Sequence, residues 1–192
     1  GSYLESLVAG APRSMFAAVC GVDIHPDWIR VAKQRRLPAD STFHTADLCQ
    51  PESWQDGQFD VVLSRFTLIS AKDPQRAIRS GHRCLKMGGL MIAIESSYCV
   101  AQAINTAPAM SEFCERLIAW YQRAGSRPDL GPILWQRLAR QGFAVRRDIV
   151  VLYGNNTREH QRFADFTAMT ARNLGQVFDD IFPEHYCSSL HD

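Results

Sequence analysis

Two nearly continuous apolar runs, Phe59–Ser64 (FDVVLS) and Leu90–Glu95 (LMIAIE), constrain this chain more than anything else in it. A strand with one wet face alternates apolar and polar residues. These runs leave no face for water, so each is expected in a parallel sheet covered on both sides. Between them, Asp73–Leu85 has helical spacing, with Pro74 near its first turn, Ala77, Ile78 and Cys84 turned inward, and Gly88-Gly89 as its stop. Strand, helix, strand is the repeating unit of an α/β domain.

The rest of the first half continues that alternation. Tyr3–Ala9 reads as a helix, broken by Gly10-Ala11-Pro12. Ala17–Val22 is a buried strand that delivers Asp23 to its carboxyl end. A helix follows from Pro26, a residue suited to a first helical position, with Trp28, Ile29 and Ala32 as its inner face and Leu37-Pro38 as its end. Thr42–His44 is a short strand leading to Asp47 and Leu48. Open α/β sheets bind ligands outside the carboxyl ends of their strands, and an acid there can accept hydrogen bonds from ribose hydroxyls.

After Ser97 the character changes. Met110, Phe113, Cys114, Leu117, Ile118 and Tyr121 recur at helical spacing, a core-packing stripe or a lid over a small-molecule pocket. Ile133–Gln141 is a second helix closed by Gly142. Phe143–Tyr153 reads as a strand near a sheet edge, interrupted by Arg146, Arg147 and Asp148. Thr157 then caps a last helix carrying Phe163, Phe166, Thr170 and Leu174.

Composition narrows the partners. The 192 residues are 46% hydrophobic, enough for a real core in one domain, 1–192, read as a core at 1–97 and later helices and a last strand at 98–192. Net charge is +1 and the basic residues are scattered, which argues against an obligatory nucleic-acid partner. The longest apolar run falls far short of the roughly 20 residues a membrane helix needs. The six cysteines show no metal-ligand spacing, so no metal is expected, and free thiols fit a reducing, cytoplasmic setting.

Four segments in order resemble the class I S-adenosylmethionine-dependent methyltransferases, in particular the small-molecule, ubiquinone-biosynthesis-like branch. VCGVDIHPDWIRVAKQR is similar to the segment bearing the ribose-binding acid, and FHTADL to the one placing an Asp beside the adenine. FDVVLSRFTL is similar to the strand under the methionine moiety, and DPQRAIRSGHRCLKMGGLMIAIE to the helix, glycine turn and strand that complete the core. The family's glycine-rich D-x-G-x-G-x-G loop is not in the chain. Gly1-Ser2-Tyr3-Leu4 is similar to the end of that loop, and Asp23 follows at about the 20-residue interval expected.

The resemblance implies a Rossmann-like, doubly wound, mostly parallel sheet with helices on both faces, N-terminally truncated, with a C-terminal helical lid or insert. It implies S-adenosylmethionine as cofactor. Asp23 would hold the ribose hydroxyls, Ile24 and Leu48 would lie beside the adenine, and Asp47 would accept from its amino group. Ser64, Arg65 and Gly1 would border the methionine part. The acceptor would be a small molecule bound by Ser97, Tyr98, Phe113, Trp120 and Tyr121, with Ser96 nearby. Methyl transfer depends mainly on proximity and orientation; a general base is needed only if the acceptor is protonated when it binds, which leaves the catalytic residue unknown, with Tyr98 and His25 as weak candidates. His82 and Asp60 read as structural. Two other readings stand beside this one: a non-catalytic module of the same fold, and a nicotinamide-dependent oxidoreductase. The second is disfavoured because no tyrosine begins a Y-x-x-x-K pair.

Overall fold

The computed structural model of the chain describes residues 16–35, 40–50, 55–97 and 108–148. Its elements in order are β1 (Ala18–Asp23), α1 (Pro26–Lys33), β2 (Asp40–Thr45), β3 (Phe59–Arg65), a short 3-10 turn (Leu68–Ser70), α2 (Pro74–Cys84), β4 (Leu85–Ile94), α3 (Pro108–Arg123) and α4 (Leu130–Arg140). The helices foreseen near Tyr3 and after Thr157 lie outside the described residues. The chain divides into two compact units. One comprises Gly1–Leu63 and Asp73–Ile92, the other Ser64–Lys72 and Ala93–Asp192.

In the first unit β1 and β2 pair in parallel, from Ala18 opposite Asp40 to Asp23 opposite Thr45. Gly21 faces Phe43 in that register, and a Cβ on Gly21 would come within 2.5 Å of the Phe43 ring. The ring thus occupies the space a side chain would need, which accounts for glycine inside a strand.

The β3–β4 pair forms its own two-stranded sheet among the described residues. The Gln58 N–H donates to the Cys84 carbonyl at 2.8 Å, and the Phe66 N–H to that of Ile94 at 2.9 Å. Both strands therefore advance the same way, as parallel strands do. Helix α2 is set between them by its caps. The Asp73 side chain accepts from the Arg76 N–H at 3.0 Å, and Pro74 takes the first position, where a missing N–H costs nothing. Ala77, Ile78 and Cys84 are buried along it, as its spacing foretold. At Gly81 a Cβ would meet Met91 and Val62 at ordinary contact distance. Asp60 pairs with Lys86 at 2.8 Å on the surface, which holds its carboxyl below the usual range.

The core of the second unit is built from Leu68, Ile69, Phe113, Cys114, Leu117, Tyr121, Leu130 and Leu134. Its two described helices end the same way. Gly125 and Gly142 adopt φ of +73° and +99°, and the following N–H groups, of Ser126 and Phe143, reach back to the carbonyls of Tyr121 and Leu138. This six-to-one closure satisfies carbonyls the helix leaves open, and only glycine enters it without steric cost. No helix among the described residues is long and apolar enough to cross a membrane.

Several expectations require correction. Trp28 is 63% exposed, so the inner face of α1 is carried by Ile29, at 6%. Gly88-Gly89 does not stop α2, which ends at Cys84; Gly88 lies within β4 at φ +76°. Residues 143–148 form no strand: Arg146, Arg147 and Asp148 are exposed, and Arg146 pairs with Asp148 at 3.3 Å. A run of charges with no apolar alternation offers a sheet nothing to bury. Residues 149–153 of that expected strand lie outside the described residues.

Candidate functional site

The parallel register of β1 and β2 decides where the first pair of acids goes. Asp23 ends β1, and its carbonyl accepts the Ala46 N–H at 3.0 Å, which carries Asp47 just past the same edge. Two sequence-distant acids are thereby brought to the carboxyl ends of neighbouring strands. Each closes a local turn: Asp23 Oδ1 accepts the His25 N–H and Asp47 Oδ1 the Cys49 N–H, both at 2.8 Å. Such turns orient a carboxylate without consuming it. The second oxygen of Asp23 is engaged by no described residue. Beside it Ile24 is 58% exposed, an apolar surface next to a half-buried acid, while Leu48 is half-buried beside Asp47.

His25 is exposed and gives only its backbone N–H to this arrangement. Cys49 donates its thiol to the Asp73 carbonyl at 3.4 Å. Burial pushes the thiol up, with Asp47 adding to the effect, which disfavours the thiolate form of Cys49. Among the described residues no group of three or more His, Cys, Asp or Glu could hold a metal ion.

The second unit contains the carboxyl ends of β3 and β4. Ser64 is 8% exposed, and its Oγ is buried with no hydrogen-bond partner. Arg65 is exposed and lies over the Phe66 ring, 4.3 Å from its centroid. Phe66 itself adopts φ +52°. A bulky side chain is strained in the left-handed region, and such strain collects where a structure needs an unusual backbone turn.

That turn presents the Thr67 and Leu68 N–H groups to Glu95 Oε1, at 3.0 and 2.8 Å. Glu95 Oε2, on the same carboxyl, is buried and has no partner; so is the Oγ of Ser96. Burial pushes the Glu95 carboxyl up to about 7, against the opposing hydrogen bonds from Leu68, Thr67 and Ile69. Glu95 is the functional candidate the sequence reading passed over. The signal was present, because LMIAIE ends an apolar strand in an acid just as AAVCGVD does.

Of the residues expected to line an acceptor pocket, Ser97 is half-buried beside Ser96, and Phe113 and Tyr121 are buried in their unit's core. Trp120 is half-buried and meets the Tyr121 ring edge-on at 4.7 Å. Tyr98 and Gly1 lie outside the described residues.

Within the first unit the donor set fits the nucleoside part of an adenosyl cofactor: Asp23 offers a carboxylate oxygen suited to a ribose hydroxyl, and Ile24 an apolar surface suited to a base. No curated protein matches the chain. Residues 1–93 do match a family model, that of a methyltransferase domain, and the parallel strands alternating with helices fit the Rossmann-like fold of that class I S-adenosylmethionine-dependent family.

Proposed function

We propose that the chain is an S-adenosylmethionine-dependent methyltransferase acting on a small-molecule acceptor, built on a doubly wound sheet with an acceptor-side helical region. The observation that carries this reading is the delivery of Asp23 and Asp47 to one edge by β1–β2 pairing, within the stretch matching a methyltransferase domain. Asp23 would hold the ribose hydroxyls through its open oxygen. Ile24 and Leu48 would lie against the adenine, and Asp47 would accept from its amino group. Ser64 and Arg65 would hold the methionine end, with Gly1 if it borders that group.

The cofactor supplies an activated methyl group on a sulfonium. The chain's own residues then have to orient that group, exclude water and manage the acceptor's proton. The ubiquinone-biosynthesis-like branch, a single domain and a cytoplasmic setting complete the reading. A near-neutral surface supports small molecules, not nucleic acids or membranes, as partners.

Calorimetric titration with S-adenosylmethionine tests the proposal. Binding is expected, and Asp23→Ala should weaken it at least about tenfold through loss of charge-assisted hydrogen bonds. An undetectable heat with the wild-type chain would sink the enzyme reading; an unchanged affinity in the variant would sink the role of Asp23.

A further inference from the structure

Glu95 comes to its place through strand pairing. The Phe66 N–H donates to the Ile94 carbonyl at 2.9 Å, so the residue after Ile94 reaches the point where β3 has just ended. There Glu95 Oε1 accepts the N–H groups of Thr67 and Leu68 at 3.0 and 2.8 Å. These groups open the 3-10 turn Leu68–Ser70, and the first N–H groups of a helical turn have no partner within it. Thr67, the residue at the cap position, turns its hydroxyl back to the Arg65 carbonyl at 3.1 Å and makes no cap bond of its own. Glu95 therefore caps the turn from the neighbouring strand. Just before that turn stands Phe66, whose φ of +52° is strained for a bulky side chain. Phe66 is 43% exposed, so burial of its ring offsets little of the strain.

The turn has a visible effect on the residue before it. Consecutive side chains of a strand point to opposite faces. The left-handed backbone at Phe66 breaks that alternation, and the Arg65 guanidinium lies 4.3 Å from the Phe66 ring centroid. Stacking of this kind restrains a long side chain that otherwise samples many rotamers. We propose that Glu95 is a positioning residue: it holds the left-handed turn at Phe66 and, through that turn, sets Arg65 over the ring to meet an anionic group of the ligand. A guanidinium fork matches a carboxylate in shape as well as in charge. The consequence for binding rests on the methyltransferase reading, in which that anion is the carboxylate of the methionine end. Oε1 can accept from the two N–H groups whether or not Oε2 carries a proton. Glutamine, which keeps one such oxygen, should therefore hold the turn, and alanine should not. The burial of Leu68 and Ile69, each 1% exposed, is the competing anchor.

The test uses the full chain, by NMR and by calorimetry. The ring current of Phe66 should move the Arg65 side-chain proton signals upfield of their positions in Phe66→Leu. That displacement should collapse in Glu95→Ala and survive in Glu95→Gln. Titration then compares S-adenosylmethionine with adenosine, which lacks the methionine end. Glu95→Ala should lose about tenfold in affinity for S-adenosylmethionine, as expected for one charge-assisted hydrogen bond, and nothing for adenosine. Glu95→Gln should match the wild-type chain with both. If Glu95→Ala fails to fold, Glu95→Leu takes its place, since leucine fills similar space and offers no acceptor. A displacement that persists in the variant without an acceptor overturns the proposal and leaves the turn to Leu68 and Ile69. An equal loss of both affinities overturns it too, because a merely structural residue would act that way. S-adenosylmethionine titration of the wild-type chain separates the two readings. If neither ligand binds while the displacement collapses in Glu95→Ala, the methyltransferase reading falls and the positioning of Arg65 stands. If the cofactor binds and the displacement persists, the positioning role alone falls.

Discussion

Glu95 shows how one side chain makes stability depend on pH. Its carboxyl titrates near 7 in the folded chain against an ordinary value of 4.5. Between those values the folded state keeps a proton that the unfolded state has released. Stability therefore falls as pH rises through that window and levels off above it. Glutamine at the same position does not titrate. From about pH 5 to about pH 8 the wild-type chain should lose roughly 2–3 kcal/mol more than Glu95→Gln, read by urea denaturation at both values. Equal losses would show that the acid is solvated. At this scale sequence was a partial guide. Asp23 and Asp47 were legible because an acid after an apolar strand is a pattern in one dimension. The burial of Glu95 depends on a backbone turn 27 residues earlier, between Thr67 and Leu68, which no local pattern contains.

Elements were legible where their punctuation is chemical. Asp73-Pro74 starts α2, and Gly142 closes α4, at the places their side-chain properties demand. Asp73→Ala should cost about 1 kcal/mol in chemical denaturation, since the Arg76 N–H loses its acceptor, while Asp73→Asn should restore most of it. Faces were less legible than ends. Trp28, Val31 and Ile24 are all exposed, so hydrophobicity alone pointed the wrong way around α1, where only Ile29 is buried. The strand expected from Phe143 is missing over residues 143–148 for the opposite reason: Phe143 and Val145 are β-prone, but Arg146, Arg147 and Asp148 follow them as an unbroken exposed run with no apolar side.

For the molecule as a whole, charge is the property that the sequence states completely. With 21 Lys and Arg against 20 Asp and Glu, the chain carries +1 at pH 7 and reaches neutrality just above it. Solubility in low salt should pass through a minimum there and recover as the net charge grows on the acid side, which turbidity against pH would show. A solubility that falls steadily towards pH 6 would count against this balance. The division into two units was not legible. The boundary cuts through β3 and β4, between Leu63 and Ser64 and between Ile92 and Ala93, and strand patterns carry no mark of where contacts change sides.

Gly131 has a bearing on how such a site can change over time. In the first turn of α4, a Cβ at this position would lie 2.6 Å from the Ser96 carbonyl oxygen, and backbone cannot yield as a flexible side chain would. The start of α4 is thus fitted to the residue next to Glu95. A lineage that enlarges position 131 must first rebuild the end of β4, and one that alters that strand end inherits a helix already seated against it. Because the obstacle is a backbone carbonyl, position 131 stays closed to larger residues whatever side chains stand at 95 and 96, until the path of the chain there changes.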